Sequence, residues 1–340
     1  MILAVVLLVL LGISLLGNLK SLVGSMISLG PGASGAGGLQ LQEALVEDNR
    51  SSAKIAIVDV DGLIYGGYVG AGRLSPVEVI AQQLKRARQD PRVRAVLLRI
   101  NSPGGEVLAA DEIARALEEF EAKSGKPVIA VMEGLAASGG YYVAAPCRWI
   151  VANELTLTGS IGVIMQGYNY HGLLEKVGVR PMVFKSGRFK DMLRGSKAPE
   201  EVLPEEQQMI QRLIDDTFAR FKQVIAEGRR KADQRNEGKG RKLEATWEGL
   251  ADGRVLSGRQ AYDAGFVDEL GGFRTAVSRA KDLANIADAN LVRYQMPRGL
   301  GDLLGLFGEA ESRVVKLDLG LVGPQIEAGR PYFLFAPGLH

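Results

Sequence analysis

The sequence holds one cysteine, two histidines and little net charge, and each scarcity closes a route. With Cys147 alone no intrachain disulfide can form, which leaves the redox compartment open. With only His171 and His340, no Cys/His zinc constellation can be assembled, and a Ser-His-Asp triad would have to use one of the two. His171 opens an amphipathic turn, Gly172-Leu-Leu-Glu-Lys-Val177, and reads as a surface or capping histidine rather than a base. A net charge of +2 gives no electrostatic case for nucleic acid. The basic cluster from Arg220 to Lys242 reads as the solvated face of a helix and its loop. No metal or organic cofactor is expected. What the chain does have is apolar residues, 46% of 340, enough for the core of one large domain or two ordinary ones.

Met1 to Leu16 is almost wholly apolar, and Lys20 is the only charged side chain before Glu43. Sixteen helical residues span about 24 Å, short of a hydrocarbon core of about 30 Å. Extension to Leu29 with Lys20 snorkelling closes the gap. A run apolar on every face is a poor soluble core helix. A cleaved signal peptide remains open, with Ala33-Ser-Gly-Ala36 as the cleavage site, but it lacks a basic n-region. The favoured reading is a transmembrane anchor over residues 1–29, binding membrane lipid, whose orientation the charges do not decide. Residues 30–53 follow as a tether, flexible because five glycines fall between Gly30 and Gly38.

The body alternates strand-like and helical runs. Strands are expected at Lys54–Val60, Val93–Ile100, Pro127–Met132, Trp149–Ala152 and Arg180–Phe184, with a short one inside Thr156–Val163. Helices are expected over Pro76–Gln89 with Ser75 as N-cap, Val107–Lys123, Tyr141–Pro146, Leu213–Ile225 and Phe273–Ala284, with a short one ended by Gly265. This alternation implies an α/β fold with mainly parallel strands, and such sheets place ligands at the strand ends, where the glycine-rich turns lie. Residues 297–340 are Gly/Leu-rich and end in Pro331-Tyr-Phe-Leu-Phe-Ala-Pro337. A solitary monomer should not leave that run in water, so it either serves assembly or packs on its own domain.

Three turns follow three strands: Asn101-Ser-Pro-Gly-Gly105, Gly134-Leu-Ala-Ala-Ser-Gly-Gly140 and Thr158-Gly-Ser-Ile-Gly162. A fourth turn, Lys185-Ser-Gly-Arg-Phe-Lys190-Asp191, carries two lysines. Ser138 stands at a strand-to-helix junction, where it serves either as a helix N-cap or as a nucleophile. A serine hydroxyl needs a base, and with histidine scarce a lysine stripped of water is the natural substitute. The Gly139 amide and one from the Pro103-Gly104-Gly105 turn are placed to bind an oxyanion. Ser160 is placed to orient a lysine amine, or is simply a turn residue.

Read together, Asn101-Ser-Pro-Gly-Gly, Ala137-Ser-Gly-Gly-Tyr-Tyr, Thr158-Gly-Ser-Ile-Gly-Val and Lys185-Ser-Gly-Arg-Phe-Lys-Asp resemble, in order, the signal peptide peptidase A family of membrane-anchored serine proteases, in its short form. Ala251-Asp-Gly-Arg-Val, Gly258-Arg-Gln-Ala and Val267-Asp-Glu-Leu-Gly-Gly272 match its downstream segment, so the resemblance covers about residues 54 to 285. It implies a Clp protease/crotonase-like spiral fold and a catalytic domain over residues 54–296. It implies Ser138 as nucleophile, Lys190 as general base in preference to Lys185, Ser160 as the assisting serine, and Gly105 with Gly139 as the oxyanion hole. It further implies degradation of cleaved signal peptides and other apolar peptides, a homo-octamer sharing sites between subunits, and a single pass through the bacterial cytoplasmic membrane with the catalytic domain outside. Misfolded membrane proteins are a further substrate class to be expected of such a peptidase. The competing readings are a crotonase-like acyl-CoA hydratase or isomerase and a membrane-tethered scaffold without turnover.

Overall fold

The computed structural model describes residues 41–67, 75–296 and 331–334. The expected anchor, the start of the tether and most of the tail lie outside these residues. Strand β1 (Gln42–Glu47) is followed by β2 (Lys54–Asp61), α1 (Pro76–Gln89), β3 (Val93–Ser102), β4 (Gly104–Glu106) and α2 (Val107–Ser124). Next come β5 (Val128–Ala137), α3 (Gly139–Ala144), β6 (Trp149–Ala152), β7 (Leu157–Gly159), α4 (His171–Lys176) and α5 (Pro204–Arg235). The chain continues through β8 (Val255–Ser257), α6 (Gly258–Asp263), β9 (Glu269–Leu270), α7 (Phe273–Ala284), β10 (Asn290–Gln295) and β11 (Tyr332–Leu334).

The main sheet runs β1-β10-β2-β3-β5-β6-β9, with β7 attached to β5 and β8 to β7. From β10 to β9 every pairing is parallel, and only β1 and β8 pair antiparallel. The centre is parallel because β2, β3 and β5 are continuous apolar runs, which suit strands covered on both faces. One face sets Ile55, Ile57, Leu97, Ile129 and Val131 against Ala276, Val277 and Ala280 of α7. The alternate residues Val58, Val96, Leu98 and Met132 are equally buried, on the side where α1 and α3 meet the sheet. Helix α1 starts where its sequence says it must: Ser75 and Glu78 form a reciprocal capping box ahead of Pro76.

Strand β5 controls the geometry of the site. Its first half, Ile129–Met132, pairs with β6, and its last residues, Leu135–Ala137, pair with β7 instead. The change of neighbour falls at Glu133 and Gly134, which are exposed. The sheet therefore divides just before Ser138. Helix α5, 32 residues long, spans about 48 Å and is anchored near its far end. There Arg229 pairs with Asp268, both buried, and its guanidinium donates to the Cys147 carbonyl at 2.9 Å.

Several segments depart from the sequence reading. Residues 42–47 lie in the stretch read as a tether, yet they form an edge strand paired to β10 and tied inward by a buried Lys54, which donates to Glu43 at 2.6 Å. Residues 180–184 are irregular, not a strand, and Met182 and Phe184 are 81% and 90% exposed. A strand requires a hydrogen-bonding neighbour, and none among the described residues reaches this one. Residues 156–163 contract to the three-residue β7, and β8 to β11 were not foreseen.

Candidate active site

The chain enters the site on β5 and turns sharply at Ser138. Ser138 has φ 53° and ψ −116°, a conformation that side-chain-bearing residues rarely adopt, and it is almost fully buried. Two backbone bonds hold it there: its amide donates to the Gly159 carbonyl at 2.8 Å, and its carbonyl accepts from the Tyr142 amide at 2.9 Å. The hydroxyl caps nothing and makes no hydrogen bond with any described residue. The N-cap role therefore fails at this position: a capping serine has extended dihedrals and a side chain bonded to the first turn.

Beside it lies the turn of β4. The buried Ser102 hydroxyl accepts from the Gly104 amide at 3.0 Å, and the Gly104 carbonyl accepts from Ile64 at 2.8 Å. A methyl group on Gly104 would begin 2.6 Å from the Gly139 amide nitrogen, and one on Gly139 would begin 3.1 Å from the Gly105 amide nitrogen. The backbones of Gly104, Gly105 and Gly139 are thus in contact, which only residues without side chains allow. Gly105 and Gly139, the two glycines expected to bind an oxyanion, lie side by side.

Ser160 follows Gly159 directly, so one peptide links the carbonyl that holds Ser138 to the second serine. Ser160 is also buried with a positive φ, 48°, and its amide donates to Arg254 at 2.7 Å. The Thr158 hydroxyl donates to Ala136 at 2.7 Å and fixes β7 against the end of β5.

Lys190 is not brought to this cluster. It lies on the irregular stretch between α4 and α5, where its amide donates to the Gly187 carbonyl at 3.3 Å, and its exposed side chain forms no hydrogen bond or ion pair with any described residue. Asp191 beside it is taken by others. Lys185 donates to it at 2.5 Å, and Lys197, itself bonded to Glu206 at 2.6 Å, lies 3.6 Å away. The bond from Lys185, with the nearby charges of Lys185 and Lys197, holds the Asp191 carboxyl below its ordinary value. Of the two candidate lysines, then, Lys185 is engaged within the chain and Lys190 is not. Val177, Met182 and Phe184 on this stretch are exposed, as are Leu173 of α4 and Tyr168 before it.

Behind Ser138, helix α3 buries two tyrosines. The Tyr141 hydroxyl donates to the Phe266 carbonyl at 3.0 Å and the Tyr142 hydroxyl to Asp111 at 2.6 Å. Burial pushes the Tyr142 phenol up, and its bond to Asp111 adds to the shift. Sequence reasoning passed over Ser102 and Ile64, which shape the glycine turn. Ser102 carried a signal within Asn-Ser-Pro-Gly-Gly; Ile64, on a separate segment, carried none.

Comparison with known proteins bears on this arrangement. The profile of peptidase family S49 matches residues 121–287. The chain is 36% identical over 264 residues to a signal peptide peptidase SppA of Enterococcus faecium, covering 76% of this chain and 72% of that protein. The chain belongs to peptidase family S49. It is accordingly a serine peptidase, which decides against the acyl-CoA and scaffold readings. A second relative, a protease of Methanocaldococcus jannaschii, is 37% identical over 265 residues, 75% of this chain and 77% of that one. Protease 4 of Salmonella typhi is 35% identical over 241 residues, 71% of this chain but 36% of the longer relative.

Proposed function

We propose that this S49 peptidase is a membrane-anchored endopeptidase, with Ser138 as nucleophile and Lys190 as general base, that degrades cleaved signal peptides and other apolar peptides. The observation that carries the proposal is the state of Ser138: strained, buried, its hydroxyl bonded to no described residue, at a strand-to-helix junction whose Gly139 touches the backbones of Gly104 and Gly105. Its hydroxyl oxygen attacks the peptide carbonyl and passes its proton to the Lys190 amine. The Gly139 and Gly105 amides bind the oxyanion, the proton moves to the leaving amine, and water releases the acyl group from Ser138. Ser160 orients the amine. An amine in water stays protonated, so this lysine must work in a drier place than the exposed position it has in one chain. A second copy supplies that place: the apolar stretch around Lys190 docks against a neighbouring subunit and delivers Lys190 to that subunit's Ser138. The short-form homo-oligomer with shared sites and a Clp protease-like spiral domain, held outside the cytoplasm by residues 1–29, accounts for these features together.

The test is hydrolysis of a synthetic signal peptide by wild type, Ser138→Ala, Lys190→Ala and an assembled equal mixture of the two variants. Each variant alone is expected to be inactive. The mixture should recover about a quarter of wild-type activity, since half of the serines and half of the lysines are intact and pair at random. An active Lys190→Ala protein would refute the dyad, and an inactive but co-assembled mixture would refute the shared site.

A further inference from the structure

The Lys190 side chain bonds to no described residue, but the turn that carries it is closed on itself. The Lys185 ammonium reaches across that turn. It donates to the Arg188 carbonyl at 3.1 Å and to the Asp191 carboxylate at 2.5 Å. Backbone bonds fill the interval, from the Lys190 amide to Gly187 at 3.3 Å and from the Met192 amide to Phe189 at 3.1 Å. Gly187 reverses the chain with φ 88°, an angle glycine takes without strain. One cation therefore clasps residues 185 to 191, and Lys190 lies inside the clasp. An exposed ion pair contributes little to stability, so the worth of this one lies in the geometry it fixes.

The closed turn is also seated on α5. Asp191 faces a second cation, Lys197, at 3.6 Å, and Lys197 donates to Glu206 at 2.6 Å. Lys197 and Glu206 are both buried, and a buried ion pair is weak support for stability, so it too points to a need for fixed geometry. A second tether runs from Arg188 to Glu205 at 2.9 Å. Both acids stand in the first turn of α5, where the helix dipole favours negative charge. The far end of the same helix carries Arg229, held by Asp268. The turn is thus tied through one helix to the catalytic domain, although the chain around it is irregular.

We infer that Lys185 and Asp191 are positioning residues, which with the Lys197–Glu206 pair hold the turn so that the Lys190 amine reaches Ser138 in one fixed place. The inference rests on Lys190 being the base of the site. It gives the two lysines of the turn separate tasks. An ammonium bonded to a carboxylate has no lone pair with which to accept a proton, so Lys185 shapes the turn and Lys190 moves the proton. Without the clasp the amine would sample a wider volume, and a misplacement of about 1 Å costs up to about 100-fold in rate.

The test measures kcat and KM for a synthetic signal peptide with the assembled full-length protein, and follows assembly size and thermal unfolding in parallel. Arginine is the discriminating substitution, because it keeps an ion pair to a carboxylate but stays protonated and cannot act as a base. Lys185→Met and Asp191→Asn should each lower kcat about 10–100-fold, with KM and assembly size little changed. Lys185→Arg should recover most of what Lys185→Met loses, whereas Lys190→Arg should be inactive. The paired change Lys197→Met with Glu206→Gln removes the seat without stranding a buried charge. It should lower kcat in the same way while the thermal midpoint holds, which separates positioning from stability. Lys185→Arg as inactive as Lys190→Arg would overturn the inference, because Lys185 would then carry the proton. Wild-type kcat in both Lys185→Met and Asp191→Asn would overturn it as well, and with Lys190→Arg inactive the peptidase reading would still stand. An active Lys190→Arg protein would instead sink the assignment of the base, and the inference with it.

Discussion

Replacing Ser138 by glycine should make the protein more stable than replacing it by alanine. The pair φ 53°, ψ −116° is the mirror image of the extended region that ordinary residues occupy, and glycine alone enters it freely. A residue with a Cβ held there stores strain toward the upper end of the usual range, about 3 kcal/mol. Alanine keeps that strain; glycine releases it. Against the release stand the loss of one buried methyl, about 0.8 kcal/mol, and the greater freedom of glycine in the unfolded chain, about 0.7 kcal/mol. The difference leaves Ser138→Gly ahead of Ser138→Ala by about 1.5 kcal/mol, which for a domain of this size is a Tm higher by roughly 3–6 °C. The hydroxyl does not enter the comparison, because both variants lack it. The assay is thermal unfolding by circular dichroism at one protein concentration, with both variants inactive so that self-digestion does not intrude. A Ser138→Gly protein melting at or below the Ser138→Ala protein would show that the turn is not strained and that the site is not held under tension by the fold.

Other substitutions probe the surrounding contacts. Gly104→Ala places a methyl 2.0 Å from the Phe333 carbonyl oxygen and 2.6 Å from the Gly139 amide; peptidase activity should fall by at least about 100-fold, as when an oxyanion donor is lost, while the circular dichroism spectrum stays that of wild type. Arg229→Met leaves Asp268 buried without its cation and should cost about 3–5 kcal/mol in urea unfolding, because α5 loses its anchor. For Asp111, burial raises the carboxyl pKa, but the bond from Tyr142 and the charges of Arg115 and Arg220 outweigh it, and the net shift is downward from 3.8. A depressed carboxyl contributes stability that is complete above its unfolded value and is lost as pH falls through the lower folded value. Asp111→Asn should therefore flatten the acid side of the stability profile below about pH 4 and leave its slope near neutrality unchanged.

The parts of the fold legible in the sequence were those whose cause is local. Helix α1 was delimited because Ser75, Pro76 and Glu78 carry the N-terminal signal and the spacing of Ile80 and Leu84 carries the buried face. Strands β2, β3 and β5 stood out because strands buried on both faces must be apolar throughout. The glycine turns were visible because Gly104, Gly105 and Gly139 touch one another and no other residue fits. What escaped depends on distant partners. Strand β10 exists because it fills the gap between β1 and β2, at the other end of the described sequence, and β11 because Phe333 finds Tyr142 and Phe221. Residues 180–184 show the converse: a short apolar run without a neighbouring edge does not make a strand. Part of the site was likewise readable, since Ser138 with Gly139, and Gly104 with Gly105, each sit in one short turn of chain. The engagement of Lys185 by Asp191, which leaves Lys190 unpaired, required the three-dimensional arrangement.

The divided end of β5 has a thermal consequence. Ser138 is held not by the apolar centre of the sheet but by β7, a strand of three residues whose own outer neighbour, β8, is equally short. Such peripheral units open at a lower free energy than the core they adjoin. On warming, the Ser138–Gly159 bond should part while β2, β3, the first half of β5 and β6 remain paired in order, so that the protein loses its working geometry before it loses its fold. Heat would then silence this peptidase reversibly, through a partly opened form that recloses on cooling, rather than through collapse of the whole chain.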